Sequence, residues 1–207
     1  MAGIVAGLLE CVMCSRYEIR AKKAELAERF GALTIPDDLP EGEIRPTDAA
    51  PVIRAGSECQ VLRWGLTTPW NAKPVINARA ETLVERPLFQ PLLERRCLVP
   101  ATAYFEWRHA DRHRLKNRIE RVGNRPFAIA GIHDDSRFAV VTTAAVNAIV
   151  HIHGRMPLIL TEEDEVKWID PACPFRELQD ALVIAPALTF RTVEEPPPVS
   201  RQGDLFG

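Results

Sequence analysis

Short apolar runs set between breakers constrain this chain more than anything else in it. RCLVPATAYFEW (residues 96–107), RPFAIAGI (125–132) and RFAVVTTAA (137–145) are rich in branched and aromatic residues. Each has strand length, and prolines, glycines or charged clusters bound it. VLRWGL (61–66) and LVIAPALTF (182–190) read the same way. Helical patterning is confined to three stretches. In YEIRAKKAELAERF (17–30), Leu26 and Phe30 lie one turn apart, charges fill the rest, and Gly31 ends the pattern. ETLVERPLFQPLLERR (81–96) reads as a helix with a break near Pro87. TEEDEVKWI (161–169) begins with Thr161 as an N-cap and has acids in its first turn. The proline-rich TIPDDLPEGEIRPTDAAPVIR (34–54) reads as mostly irregular. There is no regular βαβ alternation, no internal repeat and no glycine-rich phosphate loop. The expected fold is α+β: a single domain on a curved, mostly antiparallel, barrel-like sheet with flanking helices.

A chain of 207 residues suits one folded domain. It is expected over 13–192, after an N-terminal extension or propeptide at 1–12 and before a flexible tail at 193–207. Net charge is −2, so any nucleic-acid binding has to rest on a local patch. Five cysteines are an odd number and argue against a secreted disulfide framework. No apolar run is long enough to cross a membrane. The opening MAGIVAGLLECV has no basic residues before it and makes a poor signal peptide. A cytoplasmic monomer with no membrane partner is the expectation.

Four stretches could carry chemistry. In CVMCSRYEIR (11–20), Cys14 directly follows Met13. If translation starts at Met13 and the methionine is removed, Cys14 carries a free α-amine beside its thiol. The amine condenses with an aldehyde to an imine, and the thiol closes on the imine carbon to give a thiazolidine. The amine titrates at about 7.7–8.0 and the thiol near about 8.5, so both work close to neutral pH. The plain alternative is a small buried hydrophobe. In VINARAETL (75–83), Asn77, Arg79 and Glu81 alternate and share one side of an extended segment. Arg79 could fork onto a phosphate; a turn with a helix cap is the alternative. In YFEW (104–107), Glu106 sits in an aromatic run, where burial would raise its pKa into a useful range. An outward-facing carboxylate fits the same pattern. In HIHGRMP (151–157), Gly154 and Pro157 mark a loop displaying His153 and Arg155, with His153 able to act as acid or base. A surface histidine is the alternative.

Cys11, Cys14, His151 and His153 form a rival set, because CxxC and HxH have zinc-ligand spacing. The motif is short and overlaps the N-terminal extension, so no metal and no cofactor are expected. RHADRHRLKNRIERVGNR (108–125) carries seven Lys/Arg against two acids and reads either as a solvated loop or as a nucleic-acid contact.

Seven words in order resemble the SOS-response-associated peptidase (SRAP) family of abasic-site-processing proteins. They are MCSRY (13–17), IRPTDAAPVIR (44–54), RWGLTTPW (63–70), NAKPVINARAET (71–82), RRCLVPATAYFEW (95–107), AGIHDD (130–135) and FAVVTTAAVNAIVHIHGRMPLIL (138–160). The resemblance implies the SRAP fold and a DNA-damage function. It implies binding of single-stranded DNA and a covalent thiazolidine crosslink between the residue after the initiator Met, here Cys14, and abasic sites. It implies that Asn77 positions the aminothiol, Glu106 is the acid/base and His153 acts on the sugar ring oxygen. Arg16 and Arg79 resemble phosphate contacts. Trp64, Trp70 and Trp107 are candidates for stacking on bases or lining the cleft, and Arg155 is a further expected DNA contact. The peptidase activity would be self-processing that exposes the cysteine. A Cys-nucleophile peptidase on other proteins and a non-catalytic zinc or single-strand module are the competing functions.

This sequence departs from the family pattern in three places. Ser15 stands where the family usually has glycine. His133 stands in AGIHD where the family has tryptophan. Twelve residues precede Met13, and an intact leader leaves the Cys14 nitrogen an amide that cannot form a thiazolidine. Finally, Gln202, Leu205 and Phe206 in the terminal QGDLFG resemble a sliding-clamp-binding peptide on a proline-rich tether, which makes the clamp an expected partner.

Overall fold

The computed structural model describes residues 14–111, 113–123, 125–178, 182 and 188–196. The strands of the N-terminal half are β1 (Tyr17–Ile19), β2 (Gly42–Ile44), β3 (Ala49–Arg54), β4 (Glu58–Trp64), β5 (Leu66–Thr68), β6 (Asn71–Val75) and β7 (Asn77–Arg79). Those of the C-terminal half are β8 (Arg96–Ala101), β9 (Ala103–Ala110), β10 (His113–Arg121), β11 (Phe127–His133), β12 (Arg137–Ala144), β13 (Arg155–Pro157) and β14 (Phe190–Glu194). The helices are α1 (Lys23–Phe30), α2 (Glu162–Ile169) and the four-residue α3 (Phe175–Leu178).

Two main sheets carry the molecule. The larger has seven strands: β11-β8-β3-β4-β12-β13 in order, with β7 also paired to β12. The smaller runs β14-β10-β9-β1-β2, and β5 with β6 forms a separate hairpin. Nearly all pairings are antiparallel; the short ladders of β12 with β4 and with β7 are parallel. Every residue of β8 and β11 is buried, so these strands are covered on both faces. That explains their continuous apolar runs in place of period-2 alternation. The helix α2 lies over β8, where the Trp168 indole N–H donates to the Cys97 carbonyl at 3.0 Å.

Thr161 caps α2, its side chain accepting from the Asp164 N–H at 3.1 Å. Gly31 ends α1 in the left-handed region at φ 59°, which costs glycine nothing. Arg29 of α1 forks onto Glu165 of α2 at 2.6 and 2.9 Å, tying the helices together.

The curved, mostly antiparallel α+β expectation holds, but closure into a barrel does not. Pairings do lead around a ring from β11 through β8, β3, β4 and β12 back to β11. Two links are slight: β3 meets β8 at one residue pair and β4 meets β12 at two. Ladders that short do not make a continuous wall.

Three local expectations are corrected. The helix expected over 17–30 starts only at Lys23, because Tyr17–Ile19 is fully buried between β2 and β9 as a strand. Tertiary pairing overrides helix propensity there. The helix expected over 81–96 is replaced by two 3₁₀ turns, Ala80–Thr82 and Gln90–Leu92. Pro87 and Pro91 each remove a donor from any helical ladder. The stretch 34–54, read as irregular, supplies β2 and β3. Most of the strand expected at 182–190 lies outside the described residues, and β14 begins at Phe190.

Candidate active site

Strand register brings the N-terminal segment to the acid. β1 pairs with β9, Tyr17 opposite Tyr104 and Glu18 opposite Ala103. Antiparallel pairing sends the chain before Tyr17 along β9 towards Trp107. The Phe105 N–H donates to the Arg16 carbonyl at 3.0 Å, extending that ladder. Cys14 therefore arrives beside Glu106, and its main-chain N–H donates to the Glu106 carboxyl group. The thiol is buried, with Sγ 3.8 Å from the Arg16 carbonyl oxygen. Burial, and then the negative field of Glu106, push the thiol pKa well up.

Glu106 points inward. It shares a face of β9 with Tyr104 and is 1% exposed. Burial pushes its carboxyl up to about 8, although hydrogen bonds from the Cys14 and Trp107 main chain and the field of Arg114 pull the other way. With Cys14 in amide linkage, the acid is largely protonated at neutral pH. Among the described residues its Oε1 has no hydrogen-bond partner.

His153 stands in the connection from β12 to β13. Its Nδ1 is 3.9 Å from Glu106 Oε1. The same nitrogen lies 3.0 Å from the Arg155 carbonyl oxygen and 3.1 Å from the Arg155 amide nitrogen. Only one of these two hydrogen bonds forms in a given tautomer: a protonated Nδ1 donates to the carbonyl, a bare one accepts from the amide. Asn77 opens β7, parallel to β12 and opposite Val140. Its Nδ2 donates to the Cys14 carbonyl at 3.0 Å. Cys14 is thus held at its carbonyl by Asn77 and at its nitrogen by Glu106, with an imidazole near the acid. This is acid–base apparatus gathered around the nitrogen and sulfur of one residue.

The family model of the SOS response associated peptidase (SRAP) matches residues 13–196. The chain belongs to the SRAP family. It is 35% identical over 184 residues to the abasic site processing protein YoqW of Bacillus subtilis, covering 77% of this chain and 81% of that one. It is 32% identical over 184 residues to the abasic site processing protein YoaM of the same organism, covering 77% and 80%. A crystal structure of a protein from Bacteroides thetaiotaomicron superposes with a TM-score of 0.76 at 28% identity, over 87% of this chain and 91% of that one.

The remaining candidate residues of this SRAP chain divide by exposure. Trp70 and Arg79 are exposed and, with Asn77, Arg86 and Phe89, line a cleft of about 370 Å³. Trp107 is half-buried, its ring centroid 5.9 Å from the Arg16 guanidinium and 5.7 Å from that of Arg114. Arg16 also pairs with Glu43. Trp64 is different: it is fully buried. Its indole N–H donates to the Ile76 carbonyl at 2.9 Å, and its ring packs edge-on to Tyr17 and stacked with Phe138. No face is left for a base, so the stacking expectation for Trp64 is corrected to a core role just before Asn77. Arg155 is likewise engaged internally. It forks onto Glu81 at 2.5 and 2.9 Å and reaches the Thr142 carbonyl at 2.8 Å. That brace sets the segment bearing His153.

Two features escaped sequence reasoning. Glu43 ties Arg16 to Lys116 from β2, a strand hidden in proline-rich sequence. Glu81 was visible only as one member of an alternation, with nothing to name Arg155 as its partner. His133 lies buried, its Nδ1 accepting from the Asp135 N–H at 3.2 Å. Burial and the fields of Arg54 and Arg95 lower its pKa to about 4, so it is neutral at pH 7. Among the described residues no group of three or more His, Cys, Asp or Glu could hold a metal. His151 is exposed, and Cys11 lies outside the described residues. Gln202, Leu205 and Phe206 also lie outside them. Among the described residues no helix is long and apolar enough to cross a membrane.

Proposed function

We propose that this protein processes abasic sites in single-stranded DNA by forming a thiazolidine crosslink through an N-terminal Cys14. The observation that carries the reading is the main-chain N–H of Cys14 donating to the buried Glu106 carboxyl group, with Asn77 on the Cys14 carbonyl. The names of the Bacillus relatives, both abasic site processing proteins, point the same way. The reaction requires Cys14 to be the mature N-terminus, through a start at Met13 with methionine removal or through self-cleavage.

The chemistry follows from the groups in place. His153 delivers a proton to the sugar ring oxygen while the C1 hydroxyl gives up its own to water, opening the hemiacetal to its aldehyde. An ammonium beside the buried acid favours ionised Glu106, which takes the ammonium proton and leaves a neutral amine. The amine nitrogen bonds to the aldehyde carbon and gives a carbinolamine. Glu106 returns a proton to the hydroxyl, water leaves, and the nitrogen's remaining proton passes back to Glu106 as the imine forms. The thiol sulfur then adds to the imine carbon, and its proton ends on nitrogen. Aldehyde and aminothiol thus give thiazolidine and one water. Acid–base help of this kind contributes about a hundred- to ten-thousand-fold, and the fixed aminothiol adds proximity.

Protein whose N-terminus is verified as Cys14 by mass spectrometry is incubated with single-stranded DNA bearing one abasic site. The expected product is a heat-stable shifted band, lost in Cys14→Ala. No band from that protein overturns the reading. Cleavage of an unrelated protein would favour the peptidase reading. Bound zinc lost on mutating His151 would favour the metal module. The tail reading is kept with this one: deleting residues 202–207 removes binding to purified sliding clamp and leaves crosslinking intact.

A further inference from the structure

Two phenols are buried near Cys14 with their hydroxyls unpaired. Tyr17 and Tyr104 are both 0% exposed, and among the described residues neither hydroxyl has a hydrogen-bond partner. A tyrosine taken out of water ordinarily finds one. Without it the hydroxyl carries a desolvation penalty that phenylalanine would not. The two residues stand opposite each other on β1 and β9, yet their surroundings differ.

Tyr104 is the neighbour of Glu106 on the inward face of β9, with Ile119 opposite it on β10. Cys14 comes down on the same stretch: the Phe105 N–H holds the Arg16 carbonyl, and the Cys14 N–H holds the Glu106 carboxyl group. Burial pushes the Tyr104 pKa well up, and the negative fields of Cys14 and then Glu106 push the same way. Its hydroxyl therefore lies close enough to feel both the sulfur and the acid. Tyr17 is raised by burial and then by Cys97, Cys14 and Asp48, with no contribution from Glu106. Of the two hydroxyls, only that of Tyr104 connects sulfur with acid.

Ring closure has a proton to move there. Burial and the field of Glu106 keep the Cys14 thiol protonated at neutral pH, so the sulfur does not attack as a ready thiolate. Its hydrogen bond goes to the Arg16 carbonyl oxygen at 3.8 Å, and an amide oxygen does not keep a proton. Glu106 is already protonated at this stage, having taken the last proton of the imine nitrogen.

We propose that Tyr104 is a catalytic residue of ring closure, its hydroxyl taking the proton from the Cys14 sulfur and passing its own to Glu106. The relay rests on the thiazolidine reading above. As the S–C bond forms, the π pair of the C=N bond moves to nitrogen, which takes the Glu106 proton. The carboxylate so formed takes the Tyr104 proton, and the phenol oxygen takes the thiol proton. Tyrosine and acid end as they began, and the net transfer is one proton from sulfur to nitrogen. A neutral thiol thus reacts without a free thiolate forming beside a carboxylate.

Borohydride separates the two bonds made to the aldehyde carbon. It reduces an imine to a permanent amine link and leaves a thiazolidine untouched. Protein beginning at Cys14 is mixed with single-stranded DNA bearing one abasic site, and timed samples are quenched with and without borohydride. Tyr104→Phe is expected to give borohydride-trapped adduct at the wild-type rate. Its heat-stable adduct without borohydride should appear about tenfold to a hundredfold more slowly. Tyr17→Phe removes the neighbouring hydroxyl and should slow neither signal. The urea midpoint of Tyr104→Phe should equal or exceed that of wild type, because only an unsatisfied group is lost. Heat-stable adduct at the wild-type rate in Tyr104→Phe overturns the relay. So does equal slowing of both signals, the mark of a structural defect, and so does a lowered urea midpoint. The same selective slowing in Tyr17→Phe also overturns it. No heat-stable adduct from the wild-type protein overturns the thiazolidine reading and the relay with it, a failure seen before any variant is compared.

Discussion

Asn77 holds the carbonyl of Cys14 at 3.0 Å while Glu106 takes the same residue's main-chain N–H. Cys14 is gripped at both ends of its own backbone. Replacing Asn77 with Ala deletes one grip and keeps the other. Stability should fall by about 0.5–1.5 kcal/mol, the net contribution of one hydrogen bond. Crosslinking should slow about tenfold to a hundredfold, since the aminothiol loses its fixed orientation. A crosslinking time course beside a urea titration separates the two effects, and equal crosslinking rates would contradict the positioning role.

Glu106 makes stability depend on pH. Its folded pKa of about 8 lies above the ordinary value of 4.5. Between those values the folded chain binds more protons than the unfolded chain, so stability falls as pH rises. No penalty is present below about pH 4.5, and the full penalty is reached above about pH 8. With the leader retained, Glu106→Gln should flatten this slope, so wild type loses stability relative to the variant from pH 5 to pH 8. Urea midpoints at three pH values give the comparison, and parallel curves would refute the buried-acid assignment. In protein starting at Cys14, the same substitution should slow crosslinking about a hundred- to ten-thousand-fold.

Trp64 and Trp107 should respond in opposite ways. Trp64→Ala empties a core site and should cost about 3–5 kcal/mol of stability. Trp64→Phe keeps an aromatic ring but loses the indole hydrogen bond to the Ile76 carbonyl, which still accepts from the Val140 N–H, for about 0.5–1.5 kcal/mol. Affinity of folded Trp64→Phe for single-stranded DNA should be unchanged. Trp107→Ala, on the half-buried ring, should weaken single-strand binding by about 1–3 kcal/mol and leave stability nearly unaltered. Chemical denaturation and anisotropy on the same preparations decide between platform and core for each ring.

Arg155 braces Glu81, and its guanidinium holds the Glu81 carboxyl below the usual carboxylate range. Arg155→Gln should slow crosslinking about tenfold by loosening the loop that carries His153. Affinity for lesion-free DNA should be unaffected. Glu81 has a depressed folded pKa, so the pair stabilises above the ordinary carboxylate pKa and loses that effect as pH falls through the folded value. The stability gap between wild type and variant should therefore be open at pH 7 and shrink on acidification. A drop in DNA affinity that matches the drop in crosslinking would instead make Arg155 a DNA contact.

The sequence by itself determined what depends on neighbouring residues. Thr161 three positions before Asp164 gave the cap of α2, Gly31 gave the end of α1, and branched, aromatic runs gave β8, β9, β11 and β12. Its ordered words were enough to suggest the family. It could also say that Glu106 shares a strand face with Tyr104, because side chains alternate along any extended backbone. Whether that face looked inward was settled only by the tertiary fold, in which β1 lies beside β9 in the sheet and Tyr104 and Glu106 are both buried. The same folding step turned Tyr17–Ile19 from an apparent helix start into a strand and brought Cys14 to the acid. Trp64 and Trp107 are both indoles in strand-like words, yet one is packed against Tyr17 and Phe138 and the other remains half-open. Arg155 and Glu81 lie far apart in the chain and nothing local pairs them. Periodicity and capping act over a few residues and can be read along the chain. Burial, cross-strand partners and the pKa values they shift come from contacts between distant segments, so only the tertiary structure decided them.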